Sequence, residues 1–303
     1  MISFTDHNTH IEITDLDITN VSVAELSELQ KLLYKHLIVV IRDQDTDPRY
    51  FARLNAFMGP LANVNQWATT RHGNFVDEIP KSAPDFETWP DPDTYPIQRV
   101  SGMKKNGQPT GIFGTGILDW HCNLNGPERA DGLGLQALEG VKGTVTSWMN
   151  SGTALKDASD EFKNQLSEAY AEYKYDPETW AKGTNQQQLD FMMRNSFDYK
   201  MWLLQQNRSG TKGIYFHKNN KCKVISKHDN LQKDIEDYLF QDKYQYHHHW
   251  QEGDVVLSDQ ILTLHKRQTN DSDKLSKRVL NRITFRLSNT DGYVESNNTF
   301  KQG

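Results

Sequence analysis

The chain has 303 residues, 36% hydrophobic and 24% charged, a globular balance rather than a disordered one. Its net charge of −6 gives no overall pull toward nucleic acid or an anionic membrane, and no apolar run approaches the ~20 residues of a membrane span. Two cysteines 100 residues apart, Cys122 and Cys222, make no disulfide framework, and the N-terminus lacks the basic-then-apolar order of a signal peptide, so a reduced, cytoplasmic protein is expected.

Leu26, Leu29, Leu32 and Leu33 fall at helical spacing behind Ser22, a suitable N-cap, which predicts a helix over Val23–His36. The β-branched run Leu37-Ile38-Val39-Val40-Ile41 then reads as a buried strand, closed by the polar turn Arg42-Asp43-Gln44-Asp45. A second helix is expected from Pro48, with Phe51, Leu54, Phe57 and Met58 on one side and Gly59-Pro60 as its stop. Residues 63–96 hold five of the ten prolines and little periodicity, which suits a lid or binding loop as well as a solvated excursion.

Strand patterns return near Ile97–Val100, Ile117–His121, Gly134–Leu138 and Gly143–Trp148. A helical block is expected over about 151–206, with breaks at Pro177 and Gly183. Strands resume at Ile214-Tyr215-Phe216, Val224-Ile225, Val255-Val256-Leu257 and Ile283-Thr284-Phe285, with a short helix from about Asn230 to Phe240. Strands on both sides of a helical block, without sustained βα alternation, predict an antiparallel double-sheet barrel. No clean linker divides the chain, so a single domain over 1–303 is expected, with the helical insert at about 151–206.

The chemistry concentrates in Trp120-His121-Cys122-Asn123 and in the run from Gly253-Asp254 to His265. Residues i and i+2 of a strand share a face, so His121 and Asn123 project together while Cys122 turns away. Two imidazoles and one oxygen donor with open positions suit a non-haem Fe(II) centre that binds both substrate and O₂. His-x-Asn alone is a weak signal, because a single histidine near a strand end is usually structural. His247-His248-His249 looks like a metal tract, but only His247 and His249 share a face; Cys122 and Trp148 read as core, and Asp259 as a turn group.

Several blocks in order resemble the taurine dioxygenase-like family of Fe(II)- and 2-oxoglutarate-dependent oxygenases. Leu33 through Gln44 resembles its opening helix and strand, and Met58-Gly59-Pro60-Leu61 its following turn. Trp120-His121-x-Asn123 stands where that family has Trp-His-x-Asp. Gly143 through Asn150 is similar to its glycine–threonine segment, Trp250 through His265 to its distal-histidine run, and Arg278 through Thr284 to its paired-arginine strand. The blocks cover about residues 23–290.

The resemblance implies a mainly β fold with helical insertions, a double-stranded β-helix (jelly-roll, cupin-like) barrel. It implies His121, Asn123 and His265 as metal ligands and catalytic centre, Fe(II) and 2-oxoglutarate as cofactors, and Thr146, Arg278 and Arg282 as the cofactor anchor, with Arg282 favoured and Arg278 close behind. A planar guanidinium is the natural bidentate partner of the cofactor's distal carboxylate. The implied reaction hydroxylates a small molecule with O₂, releasing succinate and CO₂; no nucleic-acid or membrane partner is expected, and a homo-oligomer follows by analogy alone. Asn123 departs from the pattern. A neutral amide is a poorer donor than a carboxylate to a hard cation, which leaves three readings: a weaker working oxygenase, a non-catalytic binder of metal, 2-oxoglutarate or a partner, and a chloride-using halogenase, the last disfavoured because Asn does not vacate the volume chloride needs.

Overall fold

The computed structural model describes residues 2–62, 75–76, 97–106, 108–109, 118–122, 130–174, 199–218, 221–269 and 271–287. The expectations for the 63–96 loop, for Asn123 and for breaks at Pro177 and Gly183 lie outside these residues, apart from one short strand at 75–76.

Helix α1 (Val23–His36) starts where Ser22 and Glu25 form a reciprocal capping box, and Leu26, Leu29 and Leu33 make its buried stripe. Helix α2 (Pro48–Met58) begins with proline in its first turn and Asp47 accepting from the Arg49 N–H. At its end a Cβ on Gly59 would lie 1.7 Å from the Arg286 carbonyl oxygen, so only glycine lets this turn pass so close to the last strand.

The strands, in chain order, begin with β1 (Thr5–Asp6), β2 (Ile11–Ile13), β3 (Ile38–Ile41), β4 (Leu61–Ala62), β5 (Phe75–Val76) and β6 (Gln98–Ser101). A small hairpin, β7 (Lys104–Lys105) with β8 (Gln108–Pro109), precedes β9 (Leu118–His121), β10 (Gly132–Glu139) and β11 (Val145–Asn150). Helices α3 (Ser151–Asp157) and α4 (Asp160–Ser167) follow. Next come β12 (Tyr170–Lys174), β13 (Tyr199–Trp202), β14 (Leu204–Gln206), β15 (Lys212–Ile214) and β16 (Lys221–Ile225), then helix α5 (Leu231–Leu239). The chain continues through β17 (Gln245–His249), β18 (Val255–Asp259), β19 (Thr263–Arg267), the short helix α6 (Ser272–Leu275) and β20 (Val279–Phe285).

A large sheet runs β1-β2-β3-β18-β10-β20-β4-β5, with β6 also on β20, and a smaller one runs β17-β11-β19-β9. Ile38, Val40, Val100, Leu133, Leu135, Ala137, Val256 and Leu280 of the large sheet pack with Trp148 between the two sheets. The opposite face of the large sheet, including Val39, Ile41, Val255, Leu257, Ile283 and Phe285, is covered by the stripes of α1 and α2. This is the expected jelly-roll arrangement, although among the described residues the two sheets face each other without closing into one hydrogen-bonded barrel. No helix among the described residues is long and apolar enough to cross a membrane.

The insert departs from expectation. Among the described residues of 151–206 only α3 and α4 are helical; β12, β13 and β16 form a separate three-stranded sheet, and β14 pairs with β15. Tyr170-Ala171-Glu172-Tyr173-Lys174 alternates between a buried and a more exposed side, the period of a half-covered strand rather than a helix. Ala171, Tyr173, Tyr199 and Met201 thereby reach a core shared with Leu155, Ile235 and Leu239 beyond the small sheet.

Candidate active site

Strand register assembles the site. Across the small sheet, Tyr246, Trp148, His265 and His121 stand opposite one another in one row, and His248, Thr146, Arg267 and Leu118 in the next, with a register shift on β9 between His121 and Leu118. Neighbours in such rows project to one face. Across the large sheet a third row, Val40–Val256–Leu135–Arg282–Gln98, carries Arg282 to the inner face that meets them.

His121 and His265, 144 positions apart in sequence, come together with ring centroids 4.2 Å apart. His121 Nδ1 lies 2.6 Å from the Asp119 carbonyl oxygen, which can only accept, so Nδ1 carries the proton and Nε2 presents a lone pair. Burial pushes the His121 pKa down to about 4, with the Arg282 and Arg267 charges adding to the effect against the Asp119 hydrogen bond. Burial, then His121 and Arg282, holds His265 well below the usual imidazole range. Both rings are therefore neutral near pH 7, the form that binds metals. Among the described residues no third histidine, cysteine or carboxylate completes a metal cluster with them. Asn123 lies outside those residues.

The imidazoles open onto a cavity also lined by Thr146, Arg267, Arg278 and Arg282, with Val100, Leu118, Leu135 and Leu280 as its apolar wall. All three guanidiniums are buried, and desolvation pushes each down to about 10, so they stay charged at neutral pH. Arg282 donates from Nη1 to Gln98 Oε1, while Arg278 Nε has no hydrogen-bond partner among the described residues. Thr146 Oγ1 accepts from the Trp250 indole N–H at 2.9 Å. Three buried positive charges beside two neutral imidazoles make a receptor for an anion held next to a metal. Such a lining fits Fe(II) chelated by one end of a dicarboxylate whose other end meets guanidinium.

Arg267 is a site residue that the sequence reading misses. A signal for it exists: it follows His265 by two, the spacing that shares a strand face, but Lys266-Arg267 reads as an ordinary solvated basic pair. His248, rather than His247 or His249, is the buried member of the histidine run. Its Nε2 lies 3.0 Å from Asp254 Oδ2, its Nδ1 meets the Tyr246 hydroxyl at 2.6 Å, and Arg42 bridges Asp254 to Glu12 at 2.8 and 2.7 Å. Asp259 is a turn group, accepting from the Ile261 and Leu262 N–H groups ahead of His265, and Trp148 and Cys122 are core residues. A second cavity of about 310 Å³, lined by Gln30, Tyr34, Phe57 and Arg208 among others, includes no residue of the imidazole site.

The family model for "Taurine catabolism dioxygenase TauD, TfdA family" matches residues 5–284. Pentalenolactone F synthase of Streptomyces avermitilis is 22% identical over 283 residues, covering 86% of this chain and 84% of that protein. Among solved structures, AAD-2 in complex with Mn(II) and N-oxalylglycine superposes with a TM-score of 0.70 at 17% identity, over 97% of this chain and 99% of its own. A taurine dioxygenase from Burkholderia xenovorans gives a TM-score of 0.66 at 15% identity, over 94% and 90%. At these identities the structural likeness establishes the fold.

Proposed function

The chain belongs to the TauD, TfdA family of Fe(II)- and 2-oxoglutarate-dependent dioxygenases, and on that premise we propose that it hydroxylates a small molecule at a centre held by His121, His265 and Asn123, releasing succinate and CO₂. The observation that carries this reading is the neutral imidazole pair facing three buried guanidiniums across one cavity. Bound together, iron(II) and 2-oxoglutarate supply the O₂-dependent oxidation.

Each residue then has a defined task. His121 offers Nε2 because Asp119 fixes its tautomer. His265 is flanked by Trp148, whose ring lies 6.2 Å away at 28°. The Arg282 charge acts on both imidazoles and that of Arg267 on His121, while Arg278 is close to Arg267, which stands opposite Thr146. Arg278, whose charge is not among those acting on His265, and Thr146 suit the distal carboxylate of 2-oxoglutarate. Arg282, whose charge acts on both imidazoles, can then screen the chelating end or orient substrate. This weighting reverses the preference drawn from the sequence. The leucines and valine of the wall exclude water and strengthen every charged contact inside.

A second reading, a binder that does not turn over, is favoured by one feature, the amide at position 123. The two readings separate in one experiment. Under anaerobic conditions, Fe(II) and 2-oxoglutarate together should give an absorption band that neither gives alone, and admission of O₂ should yield succinate. A band without succinate supports the binder; no band at all removes both.

A further inference from the structure

The Trp250 indole meets the cavity lining through a hydrogen bond to Thr146. Trp250 is buried, its Nε1 lies 2.9 Å from Thr146 Oγ1, and it packs edge-on against both Trp148 and His248, with centroids 6.1 and 4.3 Å away. An indole N–H can only donate, so Thr146 Oγ1 must accept from it, and the hydroxyl proton is turned elsewhere. Among the side chains lining the cavity, the guanidiniums are donors without acceptors, and the imidazole nitrogens are the sole acceptors besides that hydroxyl.

We infer that Trp250 is a positioning residue: it fixes the polarity of the Thr146 hydroxyl so that its proton is donated to the distal carboxylate of 2-oxoglutarate. The inference rests on the proposed dioxygenase reading. The indole thereby selects an anionic oxygen acceptor at this end of the cavity, and His248, held by Asp254 and Tyr246, keeps the indole from turning away.

Isothermal titration of 2-oxoglutarate into anaerobic Mn(II)-loaded protein tests the inference as a double-mutant cycle. Trp250→Phe, which keeps the aromatic body, should weaken binding about threefold to tenfold, the worth of one hydrogen bond. Thr146→Val should weaken it about tenfold, and Thr146→Ser should restore most of the loss. In the Thr146→Val background, Trp250→Phe should change affinity less than about twofold, because its route to the ligand is gone. Equal penalties for Trp250→Phe in both backgrounds overturn the assignment, since packing alone would produce them. Wild-type protein that takes up no 2-oxoglutarate overturns the dioxygenase reading itself, and this inference with it. Should Trp250→Phe not fold, the ¹⁵N-indole resonance of Trp250 in Zn(II)-loaded wild type, identified by its displacement in Thr146→Val, decides the same point: it should move when 2-oxoglutarate binds, and an unmoved resonance sinks the proposal.

Discussion

An amide oxygen brings no net charge to Fe(II), so a centre built on His121, Asn123 and His265 holds its metal less tightly than one with a carboxylate. Asn123→Asp changes almost no volume and restores the charge. Iron affinity is expected to rise about tenfold or more, on the scale of a charge-assisted over a neutral contact, and uncoupled succinate formation to increase without any primary substrate. An Asp variant that binds Fe(II) no better than wild type removes Asn123 from the ligand set. The arginines divide by the charge they bring to the imidazoles: Arg282 acts on both and Arg267 on His121. Arg278→Ala is expected to lower 2-oxoglutarate affinity more than Arg282→Ala does, by roughly tenfold to a hundredfold against wild type, the range for a hydrogen bond to a charged group. Titration of the two variants side by side decides this, and a larger loss from Arg282→Ala returns the anchor to the residue the sequence favoured.

Elements hold these residues in place through a few polar joints. Asn150 ends β11 and caps α3, its Oδ1 accepting from the Thr153 N–H while its Nδ2 donates to the Thr9 and His36 carbonyls. Asn150→Ala removes a cap and strands one buried and one part-buried carbonyl, so it should cost about 2–4 kcal/mol in urea unfolding; a loss under about 1 kcal/mol would mean water replaces the amide. The turn between β18 and β19 offers a pH test. Burial, with Asp131 nearby, pushes Asp259 up to about 7, whereas an unfolded Asp titrates near 4. The native state thus keeps a proton that the unfolded chain releases, so this carboxyl's stabilisation is full below about pH 4 and lost as pH rises to about 7. Asp259→Asn should flatten the decline in stability between about pH 4 and 7, and an unchanged slope would show that Asp259 ionises normally. Local patterns made some elements legible and hid others. Both α1 and α2 announce themselves through caps and apolar spacing, and β3 through its unbroken β-branched run. Tyr170–Lys174 was hidden because polar residues alternate through it and its pairing with Lys221–Ile225 is non-local, whereas Val224-Ile225 already read as a strand. The His121–His265 pair became legible through motif order; Arg267 and Trp250 depend on strand register, which no local pattern states.

At the scale of the molecule the site lies on a seam. His121 and His265 belong to the small sheet, Arg278 and Arg282 lie just before and within β20 of the large sheet, and little but leucine, valine and tryptophan joins the two faces between them. A metal on the imidazoles touches one sheet; 2-oxoglutarate running from that metal to Arg278 would tie both. Stabilisation by ligand follows preferential binding to the native state, about 2.7 kcal/mol at a hundredfold excess over Kd. For a chain of this size that amounts to a rise in Tm of roughly 5 °C. Mn(II) alone is expected to give a small shift and 2-oxoglutarate alone less, because without the metal its chelating end has no partner. Together they should exceed the sum, and removal of metal with a chelator should abolish the 2-oxoglutarate shift altogether. Differential scanning fluorimetry on wild type and Arg278→Ala reads the bridge directly: the variant should keep its metal shift and lose the synergy. If metal and 2-oxoglutarate shifts merely add in wild type, the two do not share this cavity, and the three buried arginines answer to a different anion.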